Sequence, residues 1–228
     1  VYALLLAPDA AVRKAQMDGL EPSMRQAVEK ALASAAGARP EHRLPVVGIA
    51  VSSLRHLSAA EYETFRAGVE RFVNADRQVD LFEYGLQRMI ARHLDPVFRK
   101  TKRPNTQNYG IKPLLGDAAA LLSSLAYWGT DDAGAAASAF AAGAARLSAD
   151  RSVGMVSADA CGLPTVAAAL DRLALASPMI RKQILDACVA CVISDRRVTA
   201  DEGELIRIVA DSLECPVPPF LPGPVQDA

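Results

Sequence analysis

Two cysteines, Cys188 and Cys191, have the C-x-x-C spacing of redox motifs and of half a zinc site. On a helix these two thiols share one face with Ile184 and Val192. A zinc site would need two more ligands, and a redox pair normally lies at an exposed helix start. We therefore interpret both thiols as core residues of an apolar helix.

Other residue types used in catalysis show no arrangement typical of an active site. The three histidines, His42, His56 and His93, are not at ligand spacing, and none begins an HExxH motif. The sequence has no glycine-rich phosphate loop, no G-x-S-x-G motif and no Cys/His arrangement in a catalytic context. We predict that this chain has no catalytic or cofactor-binding residues and is not itself an enzyme.

A run of basic side chains between residues 88 and 103 could meet an anionic surface. Against Asp95 it carries a local excess of five positive charges, although the whole chain has a net charge of -1. It lacks the interleaved aromatic residues of a nucleic-acid groove, so we predict no nucleic-acid binding. A solvated linker and a patch that contacts anionic lipid or a partner protein both stay open. The basic residues are Arg88, Arg92, Arg99, Lys100, Lys102 and Arg103.

The composition predicts an all-α protein. Of the 228 residues, 51% are hydrophobic, which is enough for a filled core, and only 5% are aromatic. This alanine-rich balance favours closely packed helices over a β-sandwich. Turn and cap signals divide the sequence into about ten helices. The uncharged stretches 44–54 and 118–130 are shorter than the roughly 20 residues of a membrane-spanning helix.

A duplication organises these helices. Shifting the sequence by 119 residues aligns residues 58–94 with residues 177–213 without a gap, with ten identities in 37 pairs. Each copy has the pattern of a helical hairpin, with a serine N-cap, an Asp-Arg-x-Val turn and a capping box. The capping boxes are Asp80 with Glu83 and Thr199 with Glu202. We expect a bundle in which the hairpins pack on each other or share a core with the intervening helices.

The duplication and the breaks between helices predict three regions. Residues 1–98 form an N-terminal helical part with the first hairpin, residues 99–110 a basic linker, and residues 111–228 a C-terminal part with the second hairpin and a proline-rich tail. We expect the opening VYALLL to be a helix cut from a longer protein. The alanine-rich helix at 131–147 should pack closely against its neighbours. Four cysteines without disulfide spacing indicate a reducing compartment.

Residues 192–223, VISDRRVTADEGELIRIVADSLECPVPPFLPG, resemble the core of the TerB-like (tellurite-resistance B) helical module. In that family an Ala-Asp-Gly turn, a Val-Thr cap and a Glu-led helix recur, and FVNADRQVDLFEYGLQRMIARHLDP in the first copy has the same layout. The stretches VYALLL, QVDLFEYGLQRMIARHLDP, ACGLP and CPVPPFLPG together resemble the C-terminal region of bacterial HtpX-like membrane zinc metallopeptidases of the Ste-twenty-four type. This similarity covers essentially the whole chain.

The resemblance to the peptidases implies a non-catalytic accessory region. Family members carry an HExxH zinc helix and transmembrane helices upstream of this region, and this chain has neither. The implied partners are the protein's own protease domain or other proteins, and zinc is expected only in that domain. The implied location is the cytoplasmic side of the bacterial inner membrane, with the parent protein membrane-bound. Homo-oligomerisation stays open.

The resemblance to TerB-like modules implies an alternative function, an independent module that binds a divalent metal ion in a stress response. The candidate ligands are Asp76, Glu83, Asp195 and Glu202. Turn and capping roles explain the same residues, and hard cations require about six oxygen ligands. Arg77 and Arg196 replace the glycine usual in the family, so we expect positive charge beside each candidate ligand and no left-handed turn. We favour the structural interpretation.

Overall fold

The computed structural model describes residues 1–35, 39–99, 105–147, 153–216 and 223–224. It is 71% helical, which confirms the predicted all-α class. The sheet found within these residues is a pair of two-residue antiparallel strands, β1 (Arg197–Val198) and β2 (Gly223–Pro224). None of the helices in the same ranges combines the length and the apolar composition needed to cross a bilayer. The chain divides into two compact units, residues 1–102 and 103–228.

The first unit consists of a 3₁₀ turn and six helices within its described residues. The turn covers Tyr2–Leu4, and the helices are α1 (Ala10–Asp18), α2 (Pro22–Ala35), α3 (Pro40–Leu54), α4 (Ala59–Val73), α5 (Leu81–His93) and α6 (Asp95–Phe98). The first hairpin is formed by α4 and α5. Helix α3 packs on α5, and its buried side chains include Leu44, Val47 and Val51.

The opening VYALLL forms only the single 3₁₀ turn, so the predicted helix is wrong at this end. Its tyrosine, Tyr2, packs into the core of the first unit instead. The Tyr2 ring packs on Phe65 and Phe72 with centroid distances of 5.7 and 4.9 Å, and its hydroxyl donates to the Phe65 carbonyl at 3.0 Å. A Cβ at Gly68 would overlap that hydroxyl. Tertiary contacts therefore override the local helical preference of this segment.

A partly buried polar cluster links α6 to α4. The Tyr62 hydroxyl donates to the Asp95 carboxylate, and Arg66 Nη1 donates to both Asp95 oxygens at 3.1 and 3.2 Å. The Tyr62 ring also stacks on Phe98 with a centroid distance of 4.3 Å. Burial, together with the hydrogen bond to Asp95, raises the pKa of Tyr62 to about 12. The phenol therefore stays protonated and holds the short helix α6 in place.

The second unit is built around one buried helix. Its elements are two 3₁₀ turns (Lys112–Leu114 and Ala158–Ala160), α7 (Leu115–Gly129), α8 (Ala133–Ala144), α9 (Leu163–Leu173), α10 (Pro178–Val192), β1, α11 (Ala200–Ser212) and β2. Helix α7 contacts α8, α9, α10 and α11. Its side chains from Ala118 to Ala126 are all buried. The second hairpin, α10 and α11, thus shares a core with the intervening helices, as expected, whereas the first hairpin belongs to the other compact unit.

The alanine-rich helix α8 approaches α10 closely, as its composition predicts. A Cβ added at Gly143 would lie 2.8 Å from the Ala187 carbonyl oxygen and 2.8 Å from Leu122 Cδ2. Real side chains do not approach a backbone atom this closely, so only glycine fits here. Phe140, the one large side chain of α8, is buried. In this part of the core, α8 and α10 pack with their backbones close together, so small side chains are enough to fill the space between them.

The two hairpins have the same local structure. Shifting α4 and α5 by 119 residues gives the bounds of α10 and α11 without any difference at either end. Core positions also correspond, since Phe65, Val69 and Phe72 are buried in the first copy, and Ile184, Cys188 and Cys191 in the second. The structure therefore repeats the sequence alignment in helix length and buried face. The predicted serine cap is confirmed only at Ser58, since the Ser177 side chain makes no capping hydrogen bond.

Candidate functional sites: acidic turns, thiols and exposed surfaces

Both aspartates of the predicted metal pairs are turn formers. Asp76 Oδ1 accepts a hydrogen bond from the Gln78 N–H at 3.0 Å, and Asp195 Oδ1 accepts one from the Arg197 N–H at 2.9 Å. These bonds define an Asx turn at the same place in each copy. Each aspartate thus has one oxygen committed to the turn between the two helices of its hairpin.

Both glutamates of the pairs close capping boxes. Glu83 Oε2 accepts from the Asp80 N–H at 3.0 Å, and the Glu83 N–H donates to Asp80 Oδ1 at 2.7 Å. In the second copy, Glu202 Oε2 accepts from the N–H and from the hydroxyl of Thr199, each at 2.8 Å. The capping boxes predicted from the sequence are therefore confirmed in both copies.

Partial burial of these glutamates perturbs their ionisation. Burial raises the pKa of Glu83 to about 7; the Asp80 N–H opposes the shift, while the charges of Asp80 and Asp76 add to it. Burial is also the main cause that raises the pKa of Glu202, and the Asp195 charge contributes to the rise. The aspartate and glutamate of each copy are thus electrostatic neighbours. An elevated carboxyl pKa weakens a site that must bind metal through ionised oxygens.

The expected absence of a left-handed turn at the two arginines is wrong. Arg77 has φ of 62° and Arg196 has φ of 61°, both in the left-handed region. The hydrogen bonds around each turn fix the backbone there, since Arg77 N–H donates to the Asn74 carbonyl and Arg196 N–H to the Ile193 carbonyl. Both side chains are exposed. The turn therefore accepts backbone strain that glycine would avoid.

In the described part of the chain, no three His, Cys, Asp or Glu side chains come together in a group that could hold a metal ion. The four candidate ligands are divided between the two hairpins, and within each hairpin two of them use oxygens for the turn and the cap. The geometry described here thus provides structural roles for all four residues.

The C-x-x-C thiols lie in the core, as predicted from their position in an apolar helix. Cys188 and Cys191 on α10 are both buried, and Cys191 Sγ lies 3.7 Å from the Leu122 carbonyl oxygen of α7. Burial raises the pKa of Cys191 to about 12 and that of Cys188 well above its usual value. A thiol that stays protonated is a poor nucleophile and a poor metal ligand. Neither residue is suited to redox chemistry.

The predicted basic patch lies only partly within the described residues. Arg88 and Arg92 are on α5, and both have interaction partners. Arg99 donates to both carboxylate oxygens of Glu63, at 2.9 and 2.7 Å, and lies 3.8 Å from Asp95. Lys100, Lys102 and Arg103 lie outside the described residues. The charge of Arg99 is thus balanced by acidic side chains of its own unit.

The end of the predicted linker is fixed to the second unit. The backbone N–H groups of Gln107 and Asn108 donate to the Leu175 carbonyl at 2.8 and 3.2 Å, and the Ser177 N–H donates to the Asn108 carbonyl at 2.8 Å. Ser177 occupies the N-cap position of α10 without a side-chain capping bond. Tyr109, the next residue, is 77% exposed. This contact presents an aromatic side chain to solvent.

A surface groove of about 620 Å³ lies between α10 and the segment that follows α11. Two ion pairs border it, Arg181 with Glu214 at 2.7 Å and Lys182 with Asp186 at 2.6 Å. Its apolar lining consists of Pro178, Leu185, Val189, Leu213, Cys215 and Pro216. Because the bordering charges are paired with each other, the groove favours an occupant with apolar side chains over a strongly charged one.

The groove was not predicted from the sequence. One side of it is formed by a helix-ending motif in which glutamate takes the position usual for glycine. Glu214 has φ of 56°, its N–H donates to the Asp211 carbonyl, and the Cys215 N–H donates to the Ala210 carbonyl. This is a Schellman motif, which ends α11 and turns the chain back along α10. The motif normally uses glycine at this position, so the sequence does not reveal it.

Several large apolar side chains are exposed within the described residues. On α3, Val46 and Ile49 face solvent on the side opposite to the buried Leu44 and Val47. Met179, at the start of α10, is also exposed, 76% of its surface being accessible. Exposed apolar residues in such small numbers are normal, so these side chains by themselves do not define a contact surface.

Comparison of the chain with protein-family models, with curated proteins and with solved structures finds no match.

Proposed function

We propose that this chain is a non-catalytic interaction region of a membrane-anchored zinc metallopeptidase, on which substrate proteins, partner proteins or the protease domain dock. One observation supports this proposal most directly. The residue types best suited to chemistry are committed to turns, caps and the core, as Glu83, Glu202, Cys188 and Cys191 illustrate. The described surface also has an apolar groove beside α10, which is suited to contact with other proteins.

The groove beside α10 is the main candidate for such contact. Val189 and Pro178 offer partly exposed apolar surface, and the paired charges at the rim supply polar contacts around it. An apolar centre with a polar rim is the usual composition of a protein interface. Zinc chemistry belongs, in this proposal, to a protease domain outside the present sequence, and the helical units only position proteins near it.

The coding sequence upstream of Val1 provides a first test. It should encode an HExxH motif and hydrophobic runs of about 20 residues. A start codon beside Val1 would refute the proposal. This observation needs no assay and separates a metallopeptidase region from an independent module.

A matched pair of substitutions in the parent protein provides the second test. Val189→Asp places a charge in the groove, whereas Ala190→Asp places the same charge one position further along α10, outside the groove lining. We expect the first variant to cleave a protein substrate several-fold more slowly, with hydrolysis of a short peptide unchanged. Ala190→Asp should behave as wild type. Equal cleavage of protein substrate by all three proteins would contradict a docking role for the groove.

A further inference from the structure

The two hairpins differ in what covers the segment after the Asp-Arg turn. In the second copy, β1 pairs antiparallel with β2, so that Val198 faces Gly223 and Arg197 faces Pro224. Val198 is only 7% exposed. At the equivalent position of the first copy, Val79 is 44% exposed, and no strand pairs with it in the described part of the chain. One copy thus has a covered strand edge, and the other has the same edge uncovered.

The same local structures flank the two edges. Each follows an Asx turn and a left-handed arginine, and each leads into a capping box. In the described residues, neither the N–H nor the carbonyl of Val79 takes part in a hydrogen bond. Unpaired backbone groups on an extended segment are a ready template for another strand.

We infer that Gln78–Val79 is an open strand edge that binds an extended, Gly-Pro-containing segment of a partner protein, in the way that β1 binds β2. The sequence contains a single Gly-Pro dipeptide, Gly223–Pro224, but two such edges. Exchange of these segments between copies of the chain would still leave one edge open per chain. Residues 223–224 cannot fill both edges, so the occupant that we propose is a segment of a partner protein.

The pairing of β1 with β2 in the second copy also indicates why a Gly-Pro segment suits the edge at Gln78–Val79. The Arg197 N–H already donates to Asp195, and Pro224 has no N–H, so neither residue of this pair has a backbone donor left for the other. Gln78 has the same arrangement, because its N–H donates to Asp76. Glycine opposite the valine allows close backbone approach. Proline restricts the free peptide to extended conformations and lowers the entropic cost of strand addition.

This inference rests on the proposed interaction role and names one class of partner for it. The test uses the full chain and a fluorescein-labelled peptide, PFLPGPVQDA, which is the sequence of residues 219–228. We expect saturable binding by fluorescence polarisation with Kd on the order of 1 mM or tighter. A peptide with valine in place of the glycine should bind at least tenfold more weakly.

Two matched variants locate the binding. Val79→Asp should abolish binding and retain the fold, because Val79 is exposed, whereas Val198→Asp tests exchange with the covered edge. Amide chemical shifts of Gln78 and Val79 provide a readout that does not depend on either variant. Loss of binding in Val198→Asp alone, no shift at Val79, or no binding to the wild-type chain would each overturn the inference.

The peptide experiment also separates this inference from the proposed function. It involves neither a protease nor a membrane, so absence of peptide binding leaves association with a protease domain untouched. A start codon beside Val1 would conversely remove the metallopeptidase assignment without affecting peptide binding at Val79.

Discussion

The carboxylate of Glu202 lies directly against the α-carbon of Gly129. A Cβ added at Gly129 would lie 2.2 Å from Glu202 Oε1, while the other carboxylate oxygen accepts both hydrogen bonds from Thr199. Gly129 is the last residue of α7, and Glu202 is in the first turn of α11. The second capping box therefore packs against the end of another helix.

We predict that Gly129→Ala destabilises the protein. The new methyl group must displace the Glu202 carboxylate and so break the capping box, a loss of about 1 kcal/mol in the free energy of unfolding. Gly116→Ala, in the same helix with open space around its Cβ position, should instead be neutral or stabilising by about 0.5 kcal/mol. Denaturant unfolding of both variants gives the comparison.

A double-mutant cycle checks the mechanism of that loss. If the methyl group acts through the carboxylate, Gly129→Ala should cost little in a Glu202→Ala background. Additive effects of the two substitutions would show that the cause lies elsewhere.

The second prediction concerns the left-handed arginines. A non-glycine residue in this conformation lowers the free energy of unfolding by about 1–2 kcal/mol. A glycine there removes this strain, but it gives back roughly 0.5–1 kcal/mol because it has more conformational freedom in the unfolded chain. Arg77→Gly and Arg196→Gly should each therefore raise the free energy of unfolding by about 0.5 kcal/mol, measured by denaturant titration. Gln78→Gly, next to Arg77 but outside the left-handed region, should lower it.

These turns also illustrate what the sequence could and could not predict. Helix positions, caps and the duplication followed from local signals, because Ser58, Asp80 and Thr199 act on backbone groups within three residues. The φ of Arg77 could not be predicted from residue type, since arginine disfavours it and only the surrounding hydrogen bonds impose it.

Contacts between distant elements were the least predictable part. Tyr2 looked like part of a helix, but it packs on Phe65 and Phe72, more than 60 residues away. The groove depends on α10 lying beside the chain that leaves α11, and the open edge at Val79 emerged only by comparison with β1 and β2. None of these relationships has a periodicity or spacing that a single sequence displays.

The third prediction is a pH dependence from Glu83. Its pKa is raised to about 7 in the folded protein from an ordinary value near 4.5. Between these values the folded protein binds more protons at this group than the unfolded chain, so its contribution to stability falls as pH rises from about 4.5 through 7. Glu83→Gln keeps a capping side chain and should flatten this part of the stability profile.

Glu61 is the matched control for this prediction. It closes the capping box of α4, but its hydrogen bonds with Ser58 lower its pKa. Its contribution is therefore present above the ordinary carboxyl pKa and is lost as pH falls, opposite in sign to that of Glu83. Thermal unfolding from about pH 2.5 to 8 should show opposite changes of slope, between about pH 4.5 and 7 in Glu83→Gln and below about pH 4.5 in Glu61→Gln. Identical profiles for the two variants would contradict the assignment.

The fourth prediction concerns the thiols. Cys161, Cys188 and Cys191 are buried, whereas Cys215 is partly exposed at the groove. Burial raises the pKa of all four thiols, so accessibility decides which of them a reagent reaches. An aromatic disulfide reagent should modify one thiol in the folded protein and the other three only on unfolding. Cys215→Ser should remove the fast reaction, and added zinc should not protect the slow thiols. Rapid reaction of Cys188 or Cys191, or their protection by zinc, would restore the C-x-x-C pair as a chemical site and contradict its place in the core.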